Sequence, residues 1–341
     1  MDEEKKNQDR LHTTDIWRQE RIDIHSFSTI RQGTSTNTLA RVRPVEGKNT
    51  TIDKITGEAT ITSGNLMIKI PNYAQLTDLK TSTNQLLDAL IIELTETGAK
   101  APRVILGIDD YMRRRGLKDK KEARKQIIGD LDVLLKTSLT WEEKRGNKTE
   151  KMAGVNLTDS WAWTDGKKNT IVFTFGQTFF DVLKGYPVMS YPAQLQKLNS
   201  NKNPNSYYLL RKITELKNMN VGKANENIVS VKTLLASAPF LPSIEEVMAK
   251  DRAYTRRIID PFERDMDALK DTLGWEYCHS NNTPLTEQES GNITYDLFEQ
   301  LQIHITWYDY PDQTERLERK AKRIQDANKK KNRVSTRKKT T

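Results

Sequence analysis

Residues 108–136 read IDDYMRRRGLKDKKEARKQIIGDLDVLLK, and the two helical patterns in this stretch set the architecture. Ile108 to Arg115 fits a short helix: Asp109 and Asp110 suit its positive N-terminal end, and Gly116 breaks it. A long helix then runs from about Asp119 to Lys136, with Ala123, Ile127, Ile128, Leu131, Val133, Leu134 and Leu135 as its apolar positions. Eight cations lie between Arg113 and Lys125, while the apolar residues concentrate in the second half. A helix built this way can aim its first turns at phosphates and base edges while its opposite face packs on the protein. A solvated charged helix is the competing explanation. The residues after Lys136 favour DNA contact, because the runs SLTWEEK, VNLTDSWAWT and NTIVFTFG are strand-like and their separators RGNKT and DGKKN are turn-prone. Helix, turn, long basic helix and hairpin is the order of a winged helix-turn-helix.

N-terminal to this stretch, TNQLLDALIIELTETG supplies a helix whose apolar stripe is Leu86, Leu87, Leu90, Ile91 and Leu94, with Gly98 as its stop. Upstream of it, Ala59–Thr62 and Leu66–Ile70 are short β-like runs. Residues 1–60 are rich in polar and charged side chains and read as a flexible leader, with TDIWRQERIDIHSF as a short amphipathic piece. Beyond the hairpin the order of elements recurs. SYPAQLQKLNS, PNSYYLLRKITELKNMN and IVSVKTLLAS read as helices, and DRAYTRRIIDPFERDMDALKDTLG as a long helix with Pro261 inside it. The runs WEYCHS and QIHITWYDY come next as strands, with a helical turn around Tyr295–Leu301 between them. The expected fold is therefore α+β: a leader to 60, winged-helix domains over 61–185 and 186–311, and a disordered basic tail over 312–341.

The charge of +9 points to a polyanionic partner, but its location qualifies that. Between Asp312 and Thr341 there are 12 Lys plus Arg and 4 Asp plus Glu, a net of +8, so the body is close to neutral. Specific recognition must come from local patches, and the tail adds salt-sensitive affinity for any nucleic acid. The candidate DNA-contacting residues are Arg113, Arg114, Arg115, Lys118, Lys120, Lys121, Arg124 and Lys125 around the first long helix. The hairpin loops add Lys144, Arg145, Lys167 and Lys168, and the second long helix adds Lys250, Arg252, Arg256 and Arg257. On that second helix intrahelical pairing competes, since Arg264 can reach Asp260 or Asp267. Trp141, Trp161 and Trp163 alternate with polar residues, as packing residues of a half-buried sheet do.

No catalytic centre is legible. The histidines His12, His25, His279 and His304 are scattered, and no HExxH or phosphate-cradling GxxxxGKS motif occurs. IHITW holds one histidine where a rolling-circle nicking enzyme needs two flanking a single residue. Cys278 and His279 are neighbours on an expected strand, so they point to opposite faces. No stretch approaches the roughly 20 apolar residues that cross a bilayer, and the start MDEEKKNQDR lacks the core of a signal peptide. The reading is a cytoplasmic protein with no enzymatic activity, no cofactor and no bound metal.

The stretch YTRRIIDPFERDMDAL, residues 254–269, resembles the long helix of the second winged helix in Rep-type initiators of plasmids and mobile elements. It carries Arg256–Arg257, the aliphatic pair Ile258–Ile259, Pro261, and then Phe262, Met266 and Leu269. TNQLLDALIIELTETG and LDVLLKTSLTWEE are similar to that family's opening helix and its helix-to-wing transition, and the likeness runs in order from residue 77 to 310. The chain departs from the family in its longer polar leader and in the extended region 236–250. The resemblance implies specific binding to origin repeats, origin opening and recruitment of host replication proteins; whether the chain acts as a monomer or a homodimer is left open by the sequence. A winged-helix transcriptional regulator is the alternative, and a nickase or recombinase the more distant one.

Overall fold

The computed structural model describes residues 27–39, 50–63, 66–70, 80–145, 148–164, 169–199, 201–249, 253–291 and 293–314. Regular elements lie inside the expected flexible leader: β1 (Phe27–Arg31), α1 (Thr34–Leu39), β2 (Thr50–Ile52) and β3 (Ala59–Ser63). β1 is held by a long-range antiparallel partner, with Ile30 opposite Met189, and its Ile30 is fully buried. A polar composition hid it, because Ile30 is the one buried residue of the strand. The amphipathic piece TDIWRQERIDIHSF falls almost wholly outside the described residues.

β4 (Leu66–Ile70) precedes α2 (Thr81–Glu96), β5 (Arg103–Gly107), α3 (Ile108–Arg115) and α4 (Lys120–Lys136). α2 buries Leu86, Leu87, Leu90, Ile91 and Leu94, the stripe seen in the sequence. Next come β6 (Ser138–Arg145), β7 (Lys148–Asn156), β8 (Thr158–Thr164) and β9 (Thr170–Phe175). These strands divide between two sheets. β5, β9 and β8 form one in the order β5-β9-β8, while β6 and β7 join β2, β3 and β4 in another, in the order β2-β3-β4-β6-β7. The run VNLTDSWAWT is thus two strands broken at Leu157, whose side chain is buried. Hydrophobic alternation identifies a strand but not the sheet it joins.

α5 (Gln177–Gly185), β10 (Val188–Pro192) and α6 (Gln194–Lys197) connect to the second unit. Two segments expected to be helical begin as strands, because each finds a distant partner: SYPAQLQKLNS at Ser190–Pro192, which pair with β1, and IVSVKTLLAS at Ile228–Ser230, which pair with Gln302–His304. The second unit contains α7 (Ser206–Asn220), β11 (Ile228–Ser230), α8 (Val231–Ser237) and α9 (Ile244–Met248). A π-helical turn, Thr255–Ile259, then runs into α10 (Asp260–Asp267). β12 (Leu273–Cys278), α11 (Glu287–Ser290), α12 (Tyr295–Gln300) and β13 (Gln302–Trp307) complete it. Its sheet order, β11-β13-β12, repeats that of β5-β9-β8: the strand before the short helix lies beside the last strand, which pairs with the strand after the long helix. Both units are winged helices on their own topology.

The correspondence extends to single residues. The buried positions of α4, Ala123, Ile127, Asp130, Leu131 and Leu134, recur 135 positions later as Ile258, Phe262, Asp265, Met266 and Leu269, with Ile259 buried in addition. Each aspartate ties its helix to the start of the unit's first helix. Asp130 accepts from Ser82 Oγ at 3.1 Å and Thr83 Oγ1 at 2.6 Å. Asp265 accepts from Asn205 N at 3.0 Å and Asn205 Nδ2 at 2.8 Å. Asn205 and Ser206 stand 123 positions after Ser82 and Thr83, and by the same offset Arg211 stands where Asp88 does.

Those two equivalent residues meet. Arg211 Nη1 donates to Asp88 Oδ2, with the two side chains 6% and 3% exposed. The same oxygen accepts from Tyr191 at 2.8 Å and Tyr207 at 2.6 Å. Arg211 Nε reaches Asn37 Oδ1 of α1 at 3.3 Å. Burial works against the guanidinium charge, but Asp88 together with Tyr207 and Tyr191 outweighs it and keeps Arg211 protonated. Burial and then the Asp88 charge push Tyr191 and Tyr207 well above the usual tyrosine range, so both remain donors. Beside them Gln196 donates to Tyr191 Oη at 3.1 Å and to Gln85 O at 3.0 Å, and Gln194 donates to Ala268 O at 3.0 Å. The connecting segment is therefore bolted to both units.

Replacing Arg211 with Met strands a buried carboxylate, and we expect a loss of about 3–5 kcal/mol in urea unfolding. The double change Asp88→Leu with Arg211→Met should recover part of that loss, since the remaining cost is two tyrosine hydroxyls without an acceptor. A double variant no more stable than Arg211→Met would contradict this account.

Candidate nucleic-acid interface

The turn between α3 and α4 is built by local chemistry. Gly116 sits at φ +66°, a left-handed conformation that costs glycine little, and Leu117 N donates back to Met112 O at 2.9 Å. Three residues later Asp119 caps α4, accepting from Lys121 N at 2.9 Å and Glu122 N at 3.0 Å. The Asp130 bonds to Ser82 and Thr83 then fix the rotation of α4 about its own axis. Burial pushes the Asp130 carboxyl above its ordinary value, against the two hydroxyl donors that lower it.

With that rotation fixed, the basic cluster divides. Lys118, Lys120, Lys121, Arg124 and Lys125 are exposed. Arg124 also lies 4.7 Å from the Trp163 ring centre on β8, which ties the helix to its wing strand. Lys120 pairs loosely with Asp109 at 3.4 Å, and Arg113 pairs with Asp110 at 2.5 Å. Both pairs are well exposed, so they yield readily to a phosphate. Arg114 and Arg115 are half-buried and turn inward. Arg115 reaches Tyr111 Oη at 3.3 Å, and Arg114 lies in the field of Glu93. Arg114 Nη1 and Arg115 Nε are buried without a hydrogen-bond acceptor. Three consecutive arginines on a helix span most of a turn, so they cannot all face one ligand.

The loop candidates lie on separate hairpins. Lys144 and Arg145 close the β6–β7 hairpin, with Arg145 opposite Lys148, and this hairpin belongs to the five-stranded sheet. Lys167 and Lys168, at the tip of the β8–β9 wing, lie outside the described residues. Trp161 and Trp163 are half-buried on β8 and pack against the core, as their alternation implies.

In the second unit Lys250 and Arg252 lie outside the described residues, whereas Arg256 is exposed and Arg257 half-buried on the π-turn. The long helix is not continuous α. Pro261 has no N–H, and its ring crowds the carbonyl four residues back, that of Arg257. The chain answers by widening one turn, so that Asp260 N bonds Thr255 O. Arg264 pairs with neither Asp260 nor Asp267 but with Asp265, at 3.3 Å.

Among the described residues no group of three His, Cys, Asp or Glu side chains could hold a metal ion, and no helix is long and apolar enough to cross a membrane. The basic tail beyond Thr314 lies outside the described residues.

No family model matches the chain, and no curated protein matches it. It is similar to solved structures of domains 2 and 3 of RctB. One is 14% identical over 80% of this chain and 98% of the other, at a TM-score of 0.44. A second is 10% identical over 76% and 90%, at 0.36. It is also similar to the WH1 domain of MSBI1.176, a replication protein isolated from a multiple sclerosis patient, at 14% identity over 35% and 85% and a TM-score of 0.25.

The raised pKa of Asp130 has a testable sign. Its contribution to stability is fully present below the unfolded carboxyl value of about 3.8 and declines as pH rises through the higher folded value. Asp130→Asn keeps an acceptor for Ser82 and Thr83 but no longer titrates. We expect its unfolding free energy, measured from pH 3.5 upward, to fall less than that of the parent. Parallel curves would show that the carboxyl is not desolvated.

Proposed function

We propose that this chain is a replication initiator of a plasmid or mobile element, which binds double-stranded origin repeats without catalysis and recruits host replication proteins. The observation that carries the DNA-binding part is α4. It is an amphipathic helix whose exposed first turns hold Lys120, Lys121, Arg124 and Lys125, placed after a tight turn as the second helix of a helix-turn-helix. A second winged helix is bolted to the first through Asp88 and Arg211, so the two long helices meet DNA as one rigid reader. The tail, with its net +8, adds affinity for any duplex. The initiator role rests on the resemblance of YTRRIIDPFERDMDAL and its ordered companions to the Rep-type initiators. In this reading the chain acts in the cytoplasm, needs no cofactor, and stays bound without cutting.

Duplexes enriched from a random-sequence library by the unmodified protein supply the probe. Lys120→Ala with Lys121→Ala, two phosphate contacts in this reading, should weaken binding to enriched and random duplexes alike and reduce the slope of log affinity against log salt by about 2. Arg256→Ala with Arg257→Ala should cost about 1–3 kcal/mol for each base contact on enriched duplex only. Removing residues 315–341 should lower affinity for every sequence and flatten the salt dependence. Direct repeats among the enriched sequences favour an initiator, and a lone palindrome favours a transcriptional regulator. Supercoiled element DNA incubated with the protein and a divalent cation should remain uncut; a nick or a covalent adduct would sink the non-catalytic reading.

A further inference from the structure

Gly129 lies in the interior of α4, a helix of 17 residues, where glycine is disfavoured because it gives up the most backbone freedom on folding. Nothing inside the protein calls for it. Its backbone is helical rather than left-handed, and a Cβ built on it would meet no atom within 4 Å. It is exposed, and Asp130 beside it is anchored to Ser82 and Thr83, so the direction in which Gly129 faces is set. Nor is it inherited from the shared architecture: the corresponding position of the second unit, 135 residues later, carries Arg264.

The neighbours of Gly129 on the helix surface say what approaches it. One turn back lie Lys125 and Gln126, both exposed, and a further turn back lies Glu122, also exposed. A cation, an amide and a carboxylate in a row carry the side-chain chemistry that reads guanine, adenine and cytosine edges in the major groove. A bare helix surface beyond them lets the floor or wall of the groove come closer than a Cβ would allow.

We propose that Gly129 is the point of closest approach of duplex DNA to α4, and that its missing side chain lets Lys125 and Gln126 reach base edges. This inference rests on the DNA-binding reading above and adds a determinant of specificity to it. It also separates two roles on one helix, with Lys120 and Lys121 positioning on phosphate and the ridge from Glu122 to Gly129 reading sequence.

The test uses Gly129→Ala, Gly129→Leu and the control Gly185→Leu, a change at the end of α5 where an added Cβ also meets nothing. Affinities are measured by fluorescence anisotropy on enriched and on random duplex, with thermal melting alongside. Gly129→Ala should melt at or above the parent temperature yet bind enriched duplex several-fold more weakly. Gly129→Leu should lose at least tenfold on enriched duplex, with random-duplex affinity and the Gly185→Leu control unchanged. Enriched-duplex affinity within twofold of the parent for a folded Gly129→Leu or, should that variant melt early, for Gly129→Ala overturns the proposal alone. Failure of the parent to enrich any duplex overturns the DNA-binding reading and this proposal together.

Discussion

The arrangement of the two units rests on one buried charge pair, Asp88 with Arg211. Each side chain is costly to bury alone, and each is made tolerable only by the other and by the hydroxyls of Tyr191 and Tyr207. Because Asp88 belongs to the first helix of one unit and Arg211 to the first helix of the next, satisfying the pair fixes how the units sit. An apolar patch of equal area would tolerate sliding, whereas a carboxylate receiving three directed hydrogen bonds does not. The same network reaches Asn37 and Gln196, so α1 and the connector are positioned by the same requirement.

A second use of buried carboxylates recurs one level down. Asp130 and Asp265 occupy corresponding places on the two long helices and bind corresponding places at the start of the first helices. Apolar packing sets how close a helix lies, while a directed hydrogen bond sets its rotation about its axis. For a helix that presents side chains to a ligand, rotation decides which of them are presented. That is why Lys121, Lys125 and Gln126 face out on α4 while Ala123 and Ile127 face the core.

Much of the fold was legible in the chain itself. The apolar stripe of α2, the break at Gly116, the start of the long helix near Asp119 and the turn around Tyr295–Leu301 all obey local rules, and all stand in the structure. The order of the helices in both units was legible for the same reason, whereas β11 read as part of a helix. What misled was nonlocal: β1 and β10 are strands because each is the other's partner, and the alternation of β6 and β7 could not reveal that they join β2, β3 and β4. Gln126 and Gly129 carry no charge, so the pattern of cations along the chain does not mark them.

Local sequence was enough to specify the helices, their caps and turns, the tandem order of units and the concentration of charge in the tail. These depend on residues within a few positions of each other, whose periodicity and conformational preference are properties of the nearby chain. Tertiary structure alone settled which strands share a sheet, which cations face outward, and that Asp88 is answered by a residue 123 positions away. Those outcomes depend on where distant polar groups find partners once water is gone, and no local pattern encodes that.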